Sequence, residues 1–465
     1  MVRTEPGSFR DRSARVFYSG EGVYRGLSAA ALSEWESLER TRFWAELKAK
    51  GHVVRTTRLE EREAASLTAG AFPAVLSHEA VPFISYPYEW TFGMLKDAGL
   101  SQLEILSAAL AEDFILKDAS AFNTQWIGAR PVFIDIASFE RVPSGEPWAG
   151  YRQFCQMFLY PLMLQAYRGV PFQPLLRGAI DGIPPEICNR LLSTRDLLRA
   201  GVFSHVFLQA RLAARYASTS VDVKRELKSV GFHKELIRAN VQGLLRLVAK
   251  LERQGSRSEW SEYANDNSYT DADQAAKQEF VATVARSKAW SLAWDIGCNT
   301  GTFSRIAASG SKYVVAMDFD ELAVERLYRA LRAEGHKSIL PLCMNLADPS
   351  PNLGWRGLER LDLAGRGRPD LVLCLALIHH LVISANIPMD EAIGWLASLG
   401  ASLVIEFPTR EDPMVKRLLR NKRDVYADYD LANFERRLAD AFVVERRMPL
   451  ESGTRVLYFA TPRRD

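Results

Sequence analysis

Residues 293–301, Ala-Trp-Asp-Ile-Gly-Cys-Asn-Thr-Gly, constrain this chain more than any other stretch. They read as a buried strand breaking into a tight glycine turn, followed by a helix over Thr302–Ala308. So sharp a turn at the carboxyl end of a strand brings main-chain N–H groups close to a nucleotide-like ligand. The dinucleotide fingerprint requires glycine at its first, third and sixth positions. Here these are Gly297, Asn299 and Thr302, so one of the three fits. A second apolar run, 313–318, ends in Asp318, 21 residues after Gly297. A doubly wound fold presents an acid to ribose hydroxyls at about that distance, and a carboxylate accepts two hydrogen bonds from a vicinal diol. The segment 321–334 reads as a helix carrying Leu322, Val324, Leu327 and Leu331 among its charges. Further apolar runs at 338–345, 370–376 and 402–406 read as strands, and 442–447 with 454–460 as a closing hairpin. Strand and helix alternate as an α/β, doubly wound, Rossmann-like parallel sheet requires.

A chain of 465 residues is expected to form two or three domains. The boundaries read as 1–220 for an accessory α+β domain, 221–257 for a helical connector interrupted by Gly231, and 258–465 for the α/β domain. The loop signal between the halves is 254–260, and a helix Asp271–Ala285 leads into the first strand of the sheet. Within the first half, 72–76 and 81–85 read as strands, and 100–111 and 186–216 as helical. A net charge of +3 lies too close to neutral to imply a polyanionic partner, so nucleic acid is not expected. Cys155, Cys188, Cys298, Cys343 and Cys374 are scattered, which suggests neither a disulfide framework nor a metal site. The N-terminus lacks the apolar core of a signal peptide, and the longest uncharged apolar stretch, 154–166, falls short of a membrane span. The expectation is a cytoplasmic protein without a membrane partner.

The segment 295–301 resembles motif I of the class I S-adenosylmethionine-dependent methyltransferases, with Asn299 in place of the central glycine. Asn tolerates left-handed backbone better than most residues, so the replacement keeps the turn possible. The resemblance implies S-adenosylmethionine as cofactor, bound through Asp295, Gly297, Asn299 and Gly301, with Asp318 on the ribose and Asn345 or Asp348 at the adenine. It also places His379 and His380, after the fourth strand, beside the departing methyl group. A neutral imidazole there can take a proton from a hydroxyl or amine. The opposing reading is that one histidine packs or caps the following helix while the other faces solvent. Glu406, ending the fifth strand, either lines the acceptor pocket or bonds to backbone. No Asn-Pro-Pro-Tyr-type tetrapeptide follows the fourth strand, which argues against amide or adenine N-methylation of that kind. The basic run 416–423 alternates with apolar residues at helical spacing and reads as a solvated amphipathic helix.

Four runs carry a narrower resemblance, to the rhizobial host-specific nodulation protein family. They are Trp294-Asp-Ile-Gly-Cys-Asn-Thr-Gly, Met344-Asn-Leu-Ala-Asp-Pro-Ser-Pro, Leu375-Ala-Leu-Ile-His-His-Leu and Glu406-Phe-Pro-Thr-Arg-Glu-Asp-Pro. The resemblance implies methylation of an unidentified small-molecule or glycan-like acceptor, with Arg410 and its neighbours contributing to the acceptor pocket. In the first half, Asp118 and Asn123, five apart, and the later Asp135 resemble a degenerate protein-kinase-like catalytic loop with its metal-binding acid. The opposing reading is a hairpin with surface carboxylates. Three functions follow: a methyltransferase with an accessory domain for the acceptor, a kinase-like phosphotransferase fused to a methyltransferase, or a non-catalytic scaffold that keeps the cofactor fold.

Overall fold

The structure is a computed structural model and describes residues 2–217, 234–254, 269–420, 422 and 426–463. Two compact units divide the chain. The first comprises Met1–Trp126, Pro131–Gly255 and Gly354–Arg360, the second Ile127–Arg130, Ser256–Leu353 and Leu361–Asp465.

The first unit opens with β1 (Val2–Thr4), β2 (Ala14–Ser19), β3 (Gly22–Leu27), β4 (Thr56–Arg58) and β5 (Ala74–His78). They form an antiparallel sheet in the order β1-β2-β3-β5-β4. Phe17 and Val75 pack with Ala64 in a small apolar cluster on this sheet. The strand expected over 72–76 is observed two residues later, as β5. The one expected over 81–85 is irregular, because Pro82 has no N–H to give a ladder. The helix expected over 100–111 is the second half of a longer one, Phe92–Ala111, and Helix Lys234–Lys250 packs along it. The latter buries Ile237, Val241, Leu244 and Val248, the stripe an amphipathic helix presents to a core. The helical stretch expected over 186–216 is broken into Pro185–Leu191, a 3-10 turn Thr194–Leu198, a π turn Val202–Phe207 and Leu208–Ala217. Positions 218–233, which include 221–233 of the expected connector, and 255–268, which include 255–260 of the expected loop, lie outside the described residues. Four short strands complete the list before residue 150: β6 (Phe114–Leu116), β7 (Thr124–Ile127), β8 (Arg130–Phe133) and β9 (Phe139–Arg141). β6 pairs with β9 and β7 with β8.

The second unit contains β10 (Trp290–Ile296), β11 (Ser311–Asp318), β12 (Ile339–Cys343), β13 (Leu371–Cys374), β14 (Ser402–Pro408), β15 (Phe442–Pro449) and β16 (Arg455–Pro462). Their order is β12-β11-β10-β13-β14-β16-β15. The first five run parallel, and β16 pairs antiparallel with both neighbours. β11, β13 and β14 are apolar almost throughout and buried on both faces, as a parallel sheet covered by helices demands. The chain runs from β10 outward to β12 on one side, then returns to β13 on the other. This reversal opens a crevice at the carboxyl ends of β10 and β13, the ligand position of open α/β sheets. The doubly wound α/β sheet expected from the sequence is therefore present, with its hairpin. Among the described residues, no helix is long and apolar enough to cross a membrane.

Candidate functional site

The turn after β10 is built from backbone that most side chains avoid. Gly297 sits at φ 83°, Asn299 at φ 50° and Gly301 at φ 83°. The N–H groups of Gly297 and Cys298 both reach the Met317 carbonyl, at 2.8 and 3.0 Å. Asp318 then ties the turn to the end of β11. Its Oδ2 accepts the Asn299 N–H at 2.8 Å and its Oδ1 the Asp320 N–H at 2.9 Å. Each oxygen keeps acceptor capacity for a ligand. Burial raises the Asp318 pKa, partly offset by those two backbone N–H groups.

A cavity of about 580 Å³ opens beside this turn, within the size range of small-molecule and cofactor sites. Gly297, Asn299, Asp318 and Asn345 line it, as does His380. Four other sequence-predicted residues do not. Asp295 is buried behind the turn and accepts the Ser304 hydroxyl at 2.6 Å, which fixes the first turn of the helix Thr302–Ala308. Burial pushes its pKa up to about 7. Gly301 is needed for packing: a Cβ there would lie 2.4 Å from Leu327 Cδ1. Asp348 is exposed and outside the cavity wall, so of the two adenine-side expectations only Asn345 faces it. His379 is 1% exposed, outside the wall, and neither ring nitrogen has a hydrogen-bond partner among the described residues. Its ring lies 4.1 Å from that of His380. Burial lowers both imidazoles, His379 with its neighbour His380 as the second cause, and His380, to about 4, with the Arg455 charge as the second.

The backbone around the two histidines is irregular. Ala376, just beyond β13, sits at φ 51°, and His380–Ser384 is a π turn. π turns are rare and recur at functional sites. Nothing in the local sequence announces either feature.

Sequence reasoning also missed a further part of the cavity wall. Tyr269, Gln274, Lys277 and Phe303 line the cavity there. The Lys277 ammonium donates to Tyr269 Oη at 2.8 Å and Glu406 Oε2 at 2.7 Å. Tyr269 Oη donates to Glu406 Oε1 at 2.6 Å and accepts from Arg455. Arg455 Nε in turn bonds Asp412 Oδ2 at 2.7 Å. Glu406 is thus a fully buried partner in this network, outside the cavity wall and bonded to side chains. Lys277 and Arg455 hold its pKa below the usual carboxylate range against the desolvation that would raise it. Arg410 also lies outside the cavity wall, and its guanidinium donates to the Tyr426 carbonyl at 2.6 Å. The helix observed in the basic run is Pro413–Leu419. The signal that could have found the wall is helical spacing: Gln274 and Lys277 stand three apart on Asp271–Ala285, hence on one face.

In the first unit, Asp118, Asn123 and Asp135 do come together. Asn123 Nδ2 donates to Asp118 Oδ1 at 2.7 Å and lies 3.5 Å from Asp135 Oδ2. Ser138 Oγ donates to Asp118 Oδ1 at 3.1 Å, and Arg25, on β3, pairs with Asp135 at 2.9 Å. Burial, then the nearby Asp135 charge, raises Asp118 to about 6. These are half-buried groups and not the surface carboxylates of the hairpin reading. Among the described residues, no group of three or more His, Cys, Asp or Glu is placed to hold a metal ion.

No family model matches the chain. Nodulation protein NoeA of Rhizobium meliloti (strain 1021) is 34% identical to it over 457 residues, covering 97% of this chain and 94% of that protein. Among solved structures, N-methyltransferase NodS from Bradyrhizobium japonicum WM9 with S-adenosyl-L-homocysteine is 14% identical at a TM-score of 0.32, covering 44% of this chain and all of its own. Magnesium protoporphyrin IX methyltransferase ChlM from Synechocystis PCC 6803 with bound S-adenosylhomocysteine is 17% identical at a TM-score of 0.30, covering 44% of this chain and 96% of its own.

Proposed function

The chain belongs to the family of the nodulation protein NoeA, and from that premise we propose that it transfers a methyl group from S-adenosylmethionine to an oxygen or nitrogen of a small-molecule or glycan-like acceptor. The observation that carries the reading is the placing of Asp318 in the wall of the crevice, beside a turn whose glycine at position 297 leaves room for a nucleoside. The residues fit that group. Gly297 lines the cavity at φ 83°, a conformation that disfavours any side chain there. Asp318 and Asn345 both line the cavity, which supports assigning the first to the ribose diol and the second to the adenine. The cofactor supplies a methyl group already activated by its sulfonium charge, so the protein's main task is alignment.

His380 is the imidazole in the cavity wall. Its lowered pKa keeps it neutral at pH 7, able to receive a proton from the acceptor as the methyl is transferred. His379 supports its ring from behind. The test is transfer of labelled methyl from S-adenosylmethionine into rhizobial small-molecule and glycan fractions, with wild type beside His380→Ala. Label incorporated by wild type and strongly reduced in the variant supports the proposal. Absence of incorporation, in fractions that label with an unrelated methyltransferase, argues for the scaffold reading.

A second reading is favoured by the cluster of Asp118, Asn123, Asp135 and Arg25: a magnesium-dependent nucleotide site in the first unit. Magnesium-dependent ATP binding that is lost in Asp135→Ala supports it, and no nucleotide binding removes it.

A further inference from the structure

We infer that Lys277 is the cavity's carboxylate-recognition group and takes the α-carboxylate of the cofactor's amino-acid tail. The inference rests on the S-adenosylmethionine reading above. Charge is distributed unevenly around the cavity. Asp318 and Asp320 line the side that suits the nucleoside, and a ligand carboxylate is repelled there. Lys277 is the only lysine or arginine among the described lining residues, and it comes from a different element, the helix Asp271–Ala285.

Its ammonium is held in place. Tyr269 and Glu406 take two of its three N–H donors, and the third has no acceptor among the described residues. The ammonium sits 4.5 Å from the centre of the Tyr269 ring and 4.8 Å from that of Phe303, which also line the cavity. The Tyr269 hydroxyl is itself saturated, with one hydrogen given to Glu406 and both lone pairs taken by Lys277 and Arg455. That leaves the Lys277 side chain, 5% exposed, little freedom to swing away.

The charge balance also fits a zwitterion. Lys277 and Arg455 offset Glu406 and Asp412. A ligand bringing both an ammonium and a carboxylate adds no net charge to this buried wall, whereas a lone anion or cation would. Anchoring the far end of the tail fixes the direction of the sulfonium methyl, which is alignment by a remote contact.

The experiment compares two ligands in two proteins. S-adenosylhomocysteine and 5′-methylthioadenosine share the nucleoside and the thioether, and only the first carries the amino-acid tail. Each is titrated calorimetrically into wild type and into Lys277→Gln. Wild type is expected to prefer S-adenosylhomocysteine, and the variant to lose about tenfold or more of that affinity while binding 5′-methylthioadenosine within about twofold of wild type. Equal losses for both ligands, or an unchanged preference, overturn the inference. Retained 5′-methylthioadenosine binding certifies the fold of the variant. Should Lys277→Gln not fold, wild type is titrated with S-adenosylhomocysteine and its carboxamide: a loss of about tenfold on neutralising the carboxylate supports the inference, and equal affinity overturns it. Wild type that binds neither nucleoside ligand removes the cofactor reading itself, and the inference falls with it.

Discussion

Asp318 and Asn299 are joined across the mouth of the crevice: the carboxylate at the end of one strand accepts, at 2.8 Å, the backbone N–H of the residue that stands where a third glycine would be expected. Asn299 contributes that N–H from φ 50°, a conformation it adopts at modest cost. The departure from the glycine pattern therefore leaves the turn intact. Asn299→Gly is expected to keep cofactor affinity within about threefold, since backbone supplies the contact. Asn299→Val, β-branched at positive φ, is expected to cost about 2 kcal/mol of stability and to weaken binding. Thermal melts and cofactor titration of the two variants check both statements.

Gly301 is constrained by packing. Its φ of 83° and the 2.4 Å approach of an added Cβ to Leu327 both oppose a side chain. Gly301→Ala is expected to destabilise the second unit by about 2 kcal/mol. A denaturation midpoint indistinguishable from wild type would contradict this account.

The adjacent histidines are expected to separate cleanly. His380→Ala should lower the methyl-transfer rate by about two orders of magnitude. His379 is buried with both ring nitrogens unpartnered among the described residues, an arrangement that costs about 1–3 kcal/mol, so His379→Leu should leave stability unchanged or raised. Because His380 is lowered to about 4, the acid limb of the rate profile should fall near that pH and not near 6.5. Equal rate losses in the two variants would contradict the assignment.

Asp295 gives a pH-dependent signature. Burial raises its folded pKa to about 7, while the unfolded carboxyl titrates at about 3.9. Between those values the folded state holds a proton that the unfolded state has released. Its contribution is therefore fully present at low pH and lost as pH rises through 7. Asp295→Asn, which keeps an acceptor for Ser304 without the ionisation, should melt progressively higher relative to wild type from pH 5 to pH 8. Parallel Tm curves would remove the effect.

Much of the second unit was legible because its determinants are local. Runs such as Tyr313-Val-Val-Ala-Met-Asp318 carry their burial in their own composition, and the spacing from Gly297 to Asp318 follows from one β-turn-α-β unit. What escaped was set by distance along the chain or by backbone detail. Tyr269, Lys277, Glu406 and Arg455 meet from separate elements, with Tyr269 and Arg455 186 positions apart. No window of sequence contains that meeting. His379 and His380 are alike in sequence, and only the fold, with its left-handed Ala376 and a π turn from His380, separates the one that lines the cavity from the one that does not. In the first unit, Arg25 reaches Asp135 from 110 positions away, so the charge partner of the predicted acid was likewise invisible.

The central claim is that the crevice beside Asp318 holds S-adenosylmethionine, and titration of S-adenosylhomocysteine into wild type and Asp318→Ala tests it most directly. The account predicts saturable binding to wild type and a loss of about 10–100-fold in the variant, the worth of charge-assisted hydrogen bonds to a ribose diol. Folded wild-type protein that shows no binding, or a variant that binds as wild type does, would contradict it.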